Sequence, residues 1–333
     1  MTTNQIMHVH YNHTGSADVM NFSYSSLPAL EAGQVIIKVH AAGVNGPDIK
    51  QREGAYPPPK GASPVLGLEV AGEIIAMAAD VSCWQLGDNV CALVPGGGYA
   101  EQVITDASHC LPIPQGYSFT QAAALPETCF TVWGNLVNRA KLTAGETVLI
   151  HGGSGGIGTT AIQIAKGLGA EVYATSGSDD KCQYCVAQGA KLAVNYQQAD
   201  FVDPILEATQ GKGVNVVLDI AGGDFINRNL QVLALEGRMV SVAMQRGMKA
   251  EVDIFRIMAK RIQWTGSTLR PQSVAAKAEI AAGLLETVWP LLESKQVKIH
   301  VDKVFPFSQV VEAHRYMESG KHRGKIILQL IDC

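Results

Sequence analysis

Apolar positions follow different spacings in the first, middle and last parts of the chain. Up to about residue 126 they form short strand-length runs, such as Gln34–Val39 (QVIIKV) and Val70–Ile75 (VAGEII), separated by turn clusters such as YPPPKGASP. Such runs, bounded by proline and glycine, are the pattern of an irregular β-rich domain. From there to Arg270, apolar strand-length runs alternate with helical stretches. Strands are expected at Thr147–His151, Glu171–Thr175, Leu192–Asn195, Asn215–Ile220, Arg238–Ala243 and Ile262–Gly266. Helices are expected to begin near Gly156, Asp179, Phe201, Phe225 and Val252. This alternation predicts an α/β doubly wound parallel sheet. After Arg270 a helix of roughly 25 residues ends near Lys295. Two further β-like runs, VDKVFPF and GKIILQL, then return the chain to the first domain. The expected division is 1–126 together with 271–333, enclosing 127–270.

Proline supports this division. Ten of the fourteen prolines lie at or before Pro126 and only Pro204 lies between 127 and 270. A proline-poor middle suits βα units, where the ring would remove ladder or helix hydrogen bonds. The 333 residues suffice for two domains, and 47% hydrophobic against 17% charged residues allows a large core. A net charge of -4 argues against nucleic acid as a partner. The start, MTTNQIMHVHYNHTG, has neither the basic nor the apolar region of a signal peptide. No run approaches the roughly 20 apolar residues that cross a bilayer. The cysteines (Cys83, Cys91, Cys110, Cys129, Cys182, Cys185 and Cys333) are odd in number and irregular in spacing, unlike a disulfide framework. A soluble, cytoplasmic protein with no membrane partner is expected.

The first candidate chemistry follows the strand TVLIH. It runs into GGSGGIG, Gly152–Gly158, and then into the helical stretch TTAIQIAKGLG. Gly153, Gly155 and Gly158 satisfy GxGxxG, which combines a tight turn, close approach of backbone to a pyrophosphate and close helix–sheet packing. Phosphates would sit on the free N–H groups of Ser154, Gly155, Gly156, Ile157 and Gly158 at the positive helix end. A glycine turn can also be purely structural, but the preceding strand, the following helix and the next strand at Glu171 favour a dinucleotide. That second strand ends in EVYATSGSDDK, with neutral Ser176 where NAD enzymes usually place a carboxylate for the ribose 2′-hydroxyl. Ser176, Gly177, Ser178 and Lys181 could hold a 2′-phosphate, which makes NADPH the expected cofactor. Asp179 and Asp180 are read as first-turn residues of the next helix, facing its dipole. Val242, Ala243 and Met244 close the fifth strand, where parallel sheets put ligand loops.

Further residues resemble a known family. AAGVNGPDIKQREGAYPPPKGASPVLGLEVAGEI (41–74), LPETCFTVWGNL (125–136), HGGSGGIG (151–158), Asn195–Tyr196 and GKIIL (324–328) are similar to the quinone oxidoreductase branch of the medium-chain dehydrogenase/reductases. The resemblance implies a GroES-like β-barrel domain built from both chain ends around a Rossmann domain, in a homodimer or homotetramer. At the zinc-ligand positions of the superfamily's alcohol dehydrogenases this chain carries Asn45, Leu68 (beside Glu69) and about Thr128, with Cys129 next to it. Asparagine and leucine are not credible zinc ligands. The four-cysteine lobe is absent as well, because DNVCALVP leads straight to GGGYAEQV. No metal is therefore expected, and alcohol oxidation loses its Lewis acid.

By the same resemblance Asn45 and Tyr56 line the substrate pocket, and Thr131 contacts the cofactor near its nicotinamide half. Tyr196 and Lys325 lie near the adenine ribose phosphate. Each has a plainer alternative: a turn residue before Gly46–Pro47, an aromatic packed on Pro57–Pro59, a helix cap, a core tyrosine and a surface lysine. Arg270 could reach substrate or cofactor, or form a salt bridge. Cys182, Cys185 and His151 are read as packing. The expected activity is NADPH-dependent reduction of quinones or similarly activated carbonyls. Reduction of the C=C bond of an enone or 2-alkenal, and NADPH binding with little turnover, are the alternatives.

Overall fold

A computed structural model describes residues 5–330; Cys333 and the first four residues of the start lie outside them. The chain forms two compact units. The first holds the residues up to Phe130, Arg270–Glu293 and those from Ile299 onward; the second holds Thr131–Leu269 and Ser294–Lys298. The expected boundaries shift in three places. Residues 127–130 and Arg270 belong to the first unit, and 294–298 belong to the second. The shift at 294–298 has a visible cause, since the Gln163 side chain donates to Lys298 O at 2.8 Å and accepts from Lys298 N at 2.7 Å. No helix among the described residues is long and apolar enough to cross a membrane.

The first unit is built on one branched sheet. Its strands run in the order Val301–Pro306, Lys325–Gln329, Gln34–Val44, Glu69–Met77, Asn89–Leu93 and Cys110–Pro112. Gln34–Val44 works on both edges. One edge pairs with Glu69–Met77, while the other pairs first with Gln102–Asp106 and then, from Ala41 to Val44, with Lys325–Gln329. An irregularity between Val39 and Ala41 bends the strand where the partner changes. Inward side chains such as Val35, Ile37, Val39, Leu66, Val70 and Ile74 are essentially buried and form its core. The long helix after Arg270 is observed as Val274–Gly283, a π turn Leu284–Val288 and Trp289–Glu293. Pro290 accounts for the widened turn, because its ring has no N–H and crowds the carbonyl of Glu286.

The second unit is the doubly wound sheet expected from the alternation. All its strand pairs are parallel, in the order Leu192–Asn195, Glu171–Ser176, Thr147–Ile150, Val214–Asp219, Leu233–Ser241, Gln263–Gly266. In chain order that is 3-2-1-4-5-6, the dinucleotide-binding arrangement whose order reverses between Thr147–Ile150 and Val214–Asp219. The fifth strand starts earlier than expected, at Leu233, and ends at Ser241. Its first residues pair before a bulge opposite Val214–Val216, and Glu236 takes φ 59, so the sequence LEG reads as a turn although the strand runs through it. Val242, Ala243 and Met244 are consequently loop, not strand, at that carboxyl end.

Candidate functional site

In the second unit the helix Gly156–Gly167 follows directly on the glycine turn. Gly155 is its N-cap and no side chain caps it, which leaves the first-turn N–H groups of Gly156, Ile157 and Gly158 available to an anion. The glycines differ in what they avoid. A Cβ on Gly158 would lie 2.2 Å from Gly152 O, and one on Gly153 would lie 2.8 Å from Cys185 Sγ. These two are required by the protein's own packing. A Cβ on Gly155 would meet nothing closer than 3.6 Å, so packing does not explain that glycine. A pyrophosphate lying close to the backbone would, and the turn fits a dinucleotide on this ground.

At the end of the second strand Ser176 is buried, with its hydroxyl 2.9 Å from that of Ser154. Ser178 caps the helix Asp179–Gln188 by accepting from Lys181 N at 3.3 Å. Asp179 turns away, accepting from Asn195 Nδ2 at 2.7 Å and Gln198 Nε2 at 3.2 Å. Tyr196 reaches back to the same turn: a Cβ on Gly177 would lie 2.9 Å from its hydroxyl. The structure thus brings Ser154, Ser176, Gly177, Ser178 and Tyr196 together, with no carboxylate at Ser176. Thr131 opens the unit and is buried, and its hydroxyl has no partner among the described residues. His151 is a core residue between Thr175 Oγ1 at 2.8 Å and Asn229 Oδ1 at 2.7 Å, and burial lowers its pKa. Cys182 and Cys185 are buried free thiols.

The first unit buries a polar network. Lys325 is 3% exposed, and its ammonium donates to Asn45 Oδ1 and Glu69 Oε1, each at 2.5 Å. Asn45 Nδ2 donates to the same Glu69 oxygen at 2.9 Å, while Glu69 Oε2 accepts from Glu127 N at 2.9 Å. These bonds correct the surface-lysine alternative for Lys325, which is buried and ion-paired with Glu69. Removing one partner of a buried ion pair costs about 3–5 kcal/mol, well above the 0–1 kcal/mol of an exposed pair. The Asn45 amide is bonded at both ends within this network and orients its neighbours. Asn45 is a turn residue too: its N–H donates to Asp48 Oδ2 at 2.9 Å at the start of the helix Gly46–Arg52. Asp48, pushed up to about 6 by burial, also accepts from Gly67 N and the Tyr99 hydroxyl at 2.9 and 3.2 Å.

Beside this network stand groups with unused bonding capacity. Arg270 is buried and donates through Nε to Pro95 O at 2.8 Å and through Nη1 to Gln51 Oε1 at 2.7 Å. Its Nη2 is buried with no partner among the described residues, and it forms no salt bridge there. The guanidinium carbon lies 5.9 Å from the ring centre of half-buried Tyr56. The Tyr56 hydroxyl has no partner among the described residues, and burial, then Glu127, raise its pKa. The Glu127 carboxyl likewise has no hydrogen-bond partner among them; burial and then Glu69 push it up to about 8. Lys277, buried, donates to Arg270 O at 2.8 Å. Among the described residues no group of three or more His, Cys, Asp or Glu is arranged to hold a metal ion.

Sequence reading missed Glu69 in this network and Glu127 and Lys277 beside it. The available signal was a charged residue inside an apolar run, as in LGLEVAG, ALPETCF and VAAKAEIAA.

An alcohol dehydrogenase GroES-like domain model matches residues 31–115, and a zinc-binding dehydrogenase model matches residues 188–328. A quinone oxidoreductase of Rattus norvegicus is 32% identical over 306 residues, covering 91% of both chains. A phenolphthiocerol/phthiocerol polyketide synthase of Mycobacterium tuberculosis is 32% identical over 95% of this chain, which spans 14% of that protein's length. Among solved structures, the Escherichia coli quinone oxidoreductase complexed with NADPH has a TM-score of 0.86 at 28% identity, covering 97% of this chain and 100% of that one. The CurK enoyl reductase has a TM-score of 0.86 at 30% identity, covering 98% and 100%. With this fold, this glycine turn and these relatives, the chain belongs to the quinone oxidoreductase branch of the medium-chain dehydrogenase/reductase superfamily.

Proposed function

We propose that the protein reduces quinones or similarly activated carbonyl compounds with NADPH and without a metal ion. The observation that carries this reading is the buried, partnerless Nη2 of Arg270 next to Tyr56. A buried guanidinium donor left unpaired is costly unless a ligand uses it. A carbonyl oxygen gaining negative charge would accept from it, and the Tyr56 hydroxyl would supply a second donor or the proton. The dinucleotide, when bound, supplies the hydride. Ser154, Gly155, Gly156, Ile157, Gly158, Ser176, Gly177, Ser178, Lys181 and Tyr196 would hold its phosphates and adenosine. Thr131 and Val242–Met244 would hold its other half. Ser176 favours NADPH, since a carboxylate there would repel the 2′-phosphate.

Reduction of an enone or 2-alkenal C=C bond is the second reading. It is favoured by the likeness to the CurK enoyl reductase and by Glu127, a carboxyl that keeps its proton near neutral pH and has no hydrogen-bond partner among the described residues. Steady-state NADPH oxidation in chelator, with 1,4-benzoquinone, 9,10-phenanthrenequinone and a 2-alkenal as acceptors, separates the two. The quinones are expected to turn over faster. Tyr56→Phe should lower quinone turnover by up to about 10²-fold, the low end for a lost proton donor. Arg270→Met should lower it by about 10²–10³-fold, as for a lost oxyanion donor. No oxidation with any acceptor, or activity lost to chelator, would overturn the reading.

We also infer a second copy of this chain along the free edge of the strand Gln263–Gly266, which pairs only with Leu233–Ser241 among the described residues. The same unit leaves Leu235, Phe255, Met258 and Trp264 exposed. An open apolar edge can pair with its own copy about a two-fold axis.

A further inference from the structure

Arg246, in the loop after the fifth strand of the second unit, has no role in the account above. Its Nε and Nη2 donate to Asp224 Oδ1 and Oδ2 at 2.7 and 3.2 Å, and its backbone N–H donates to Ala221 O at 2.8 Å. The two loops meet backbone to backbone. Gly222 and Gly223 have φ 66 and 51, and a Cβ on either would lie 2.7 Å from Gly247 O or 2.5 Å from Arg246 O. Only glycine fits such a contact, so the guanidinium is held at one place by its own backbone and by Asp224. Its carbon lies 5.8 Å from the ring centre of Tyr196 and 5.0 Å from that of Phe225. Tyr196 is the residue whose hydroxyl reaches the Gly177 turn. Among the described residues Arg246 Nη1 has no hydrogen-bond partner. Asp224 is shared with Arg228, which pairs with it at 2.5 Å and with Asp200 at 3.9 Å.

We propose that Arg246 is a specificity-determining residue for the cofactor, donating to a 2′-phosphate at the Ser176–Ser178 turn with Tyr196 between them as a stacking surface. The proposal rests on the NADPH reading above. A phosphate monoester carries close to two negative charges at neutral pH and accepts well from a planar guanidinium. A ribose 2′-hydroxyl offers no charge, so Arg246 should matter little for NADH.

Calorimetric titration of the full chain with 2′,5′-ADP and with 5′-AMP tests this without catalysis. Wild type should bind 2′,5′-ADP more tightly. Arg246→Ala should weaken 2′,5′-ADP about tenfold and leave 5′-AMP within about twofold, solvent keeping the loss near the low end for a charge-assisted bond. Arg246→Lys should recover part of the loss as a point charge. The side chain is 42% exposed and Asp224 keeps Arg228, so the variants should fold. Equal losses for both ligands, or none, would overturn the role of Arg246. A wild type that does not distinguish the two ligands would instead overturn the NADPH reading itself, and this proposal with it.

Discussion

Glu127 shows at the scale of one side chain how burial sets chemistry. Its carboxyl sits at about 8 against an ordinary 4.5, because burial and then Glu69 disfavour the anion more than Lys325 favours it. Between those values the folded chain keeps a proton that the unfolded chain has released. Folding then binds protons, so this group's contribution to stability falls as pH rises through the window. Glu127→Gln should remove that slope and gain on wild type between about pH 5 and pH 8. Urea unfolding at both pH values checks it, and an identical difference at each would show that the carboxyl is not raised. The residue's importance was not legible in ALPETCF, where Thr128 and Cys129 drew the reading toward lost metal positions. Tyr56 and Arg270 could be named from sequence, but not the partnerless Nη2, which depends on Gln51 and Pro95 taking the other donors. The Glu69 partner of Lys325 was not legible for a similar reason. GKIILQL shows a strand with a lysine at its start, and only the pairing of Ile326–Gln329 with Ala41–Val44 brings that lysine to Glu69.

At the scale of an element, the glycine turn and the helix after it were legible almost entirely, because strand, turn and helix are contiguous and each carries its own periodicity. The glycines' separate duties were not, since they depend on what each missing Cβ would touch. This makes a contrast that experiment can read. Gly158→Ala drives a methyl to 2.2 Å from Gly152 O and should destabilise the protein by about 1–3 kcal/mol. Gly155→Ala, at φ -80 and with open space around it, should keep stability within about 1 kcal/mol while weakening NADPH binding at least tenfold. Thermal unfolding and calorimetric titration measure the two effects. Undiminished binding in Gly155→Ala would mean that no phosphate approaches the turn there. The fifth strand shows the opposite case. The sequence LEG and a left-handed Glu236 interrupt a strand that tertiary pairing with Val214 nevertheless extends back to Leu233.

For the whole molecule, the two-domain division follows from proline and periodicity, but a small exchange of residues 294–298 does not, because a single glutamine, Gln163, recruits it. Association is the other property of this scale. Trp264 on the strand Gln263–Gly266 is 41% exposed and Phe255 on the helix Ile254–Lys260 is 73% exposed, apolar area that the proposed second copy would cover. The double variant Trp264→Lys, Phe255→Lys should halve the mass measured by light scattering at about micromolar concentration, with the far-ultraviolet spectrum unchanged. A wild type that already has the mass of one chain would remove the second copy from the account.

The branched sheet of the first unit also dictates an order of events during synthesis. Glu69 leaves the ribosome long before Lys325, with all of Thr131–Leu269 made in between. Until the strand Lys325–Gln329 arrives, the Ala41–Val44 edge has no partner on that side and Glu69 lacks its cation. The inserted unit has all six of its strands once residue 266 has been made, so it can complete its sheet first. The earlier-made segment meanwhile keeps its Ala41–Val44 edge open to other strands until Lys325–Gln329 docks on it.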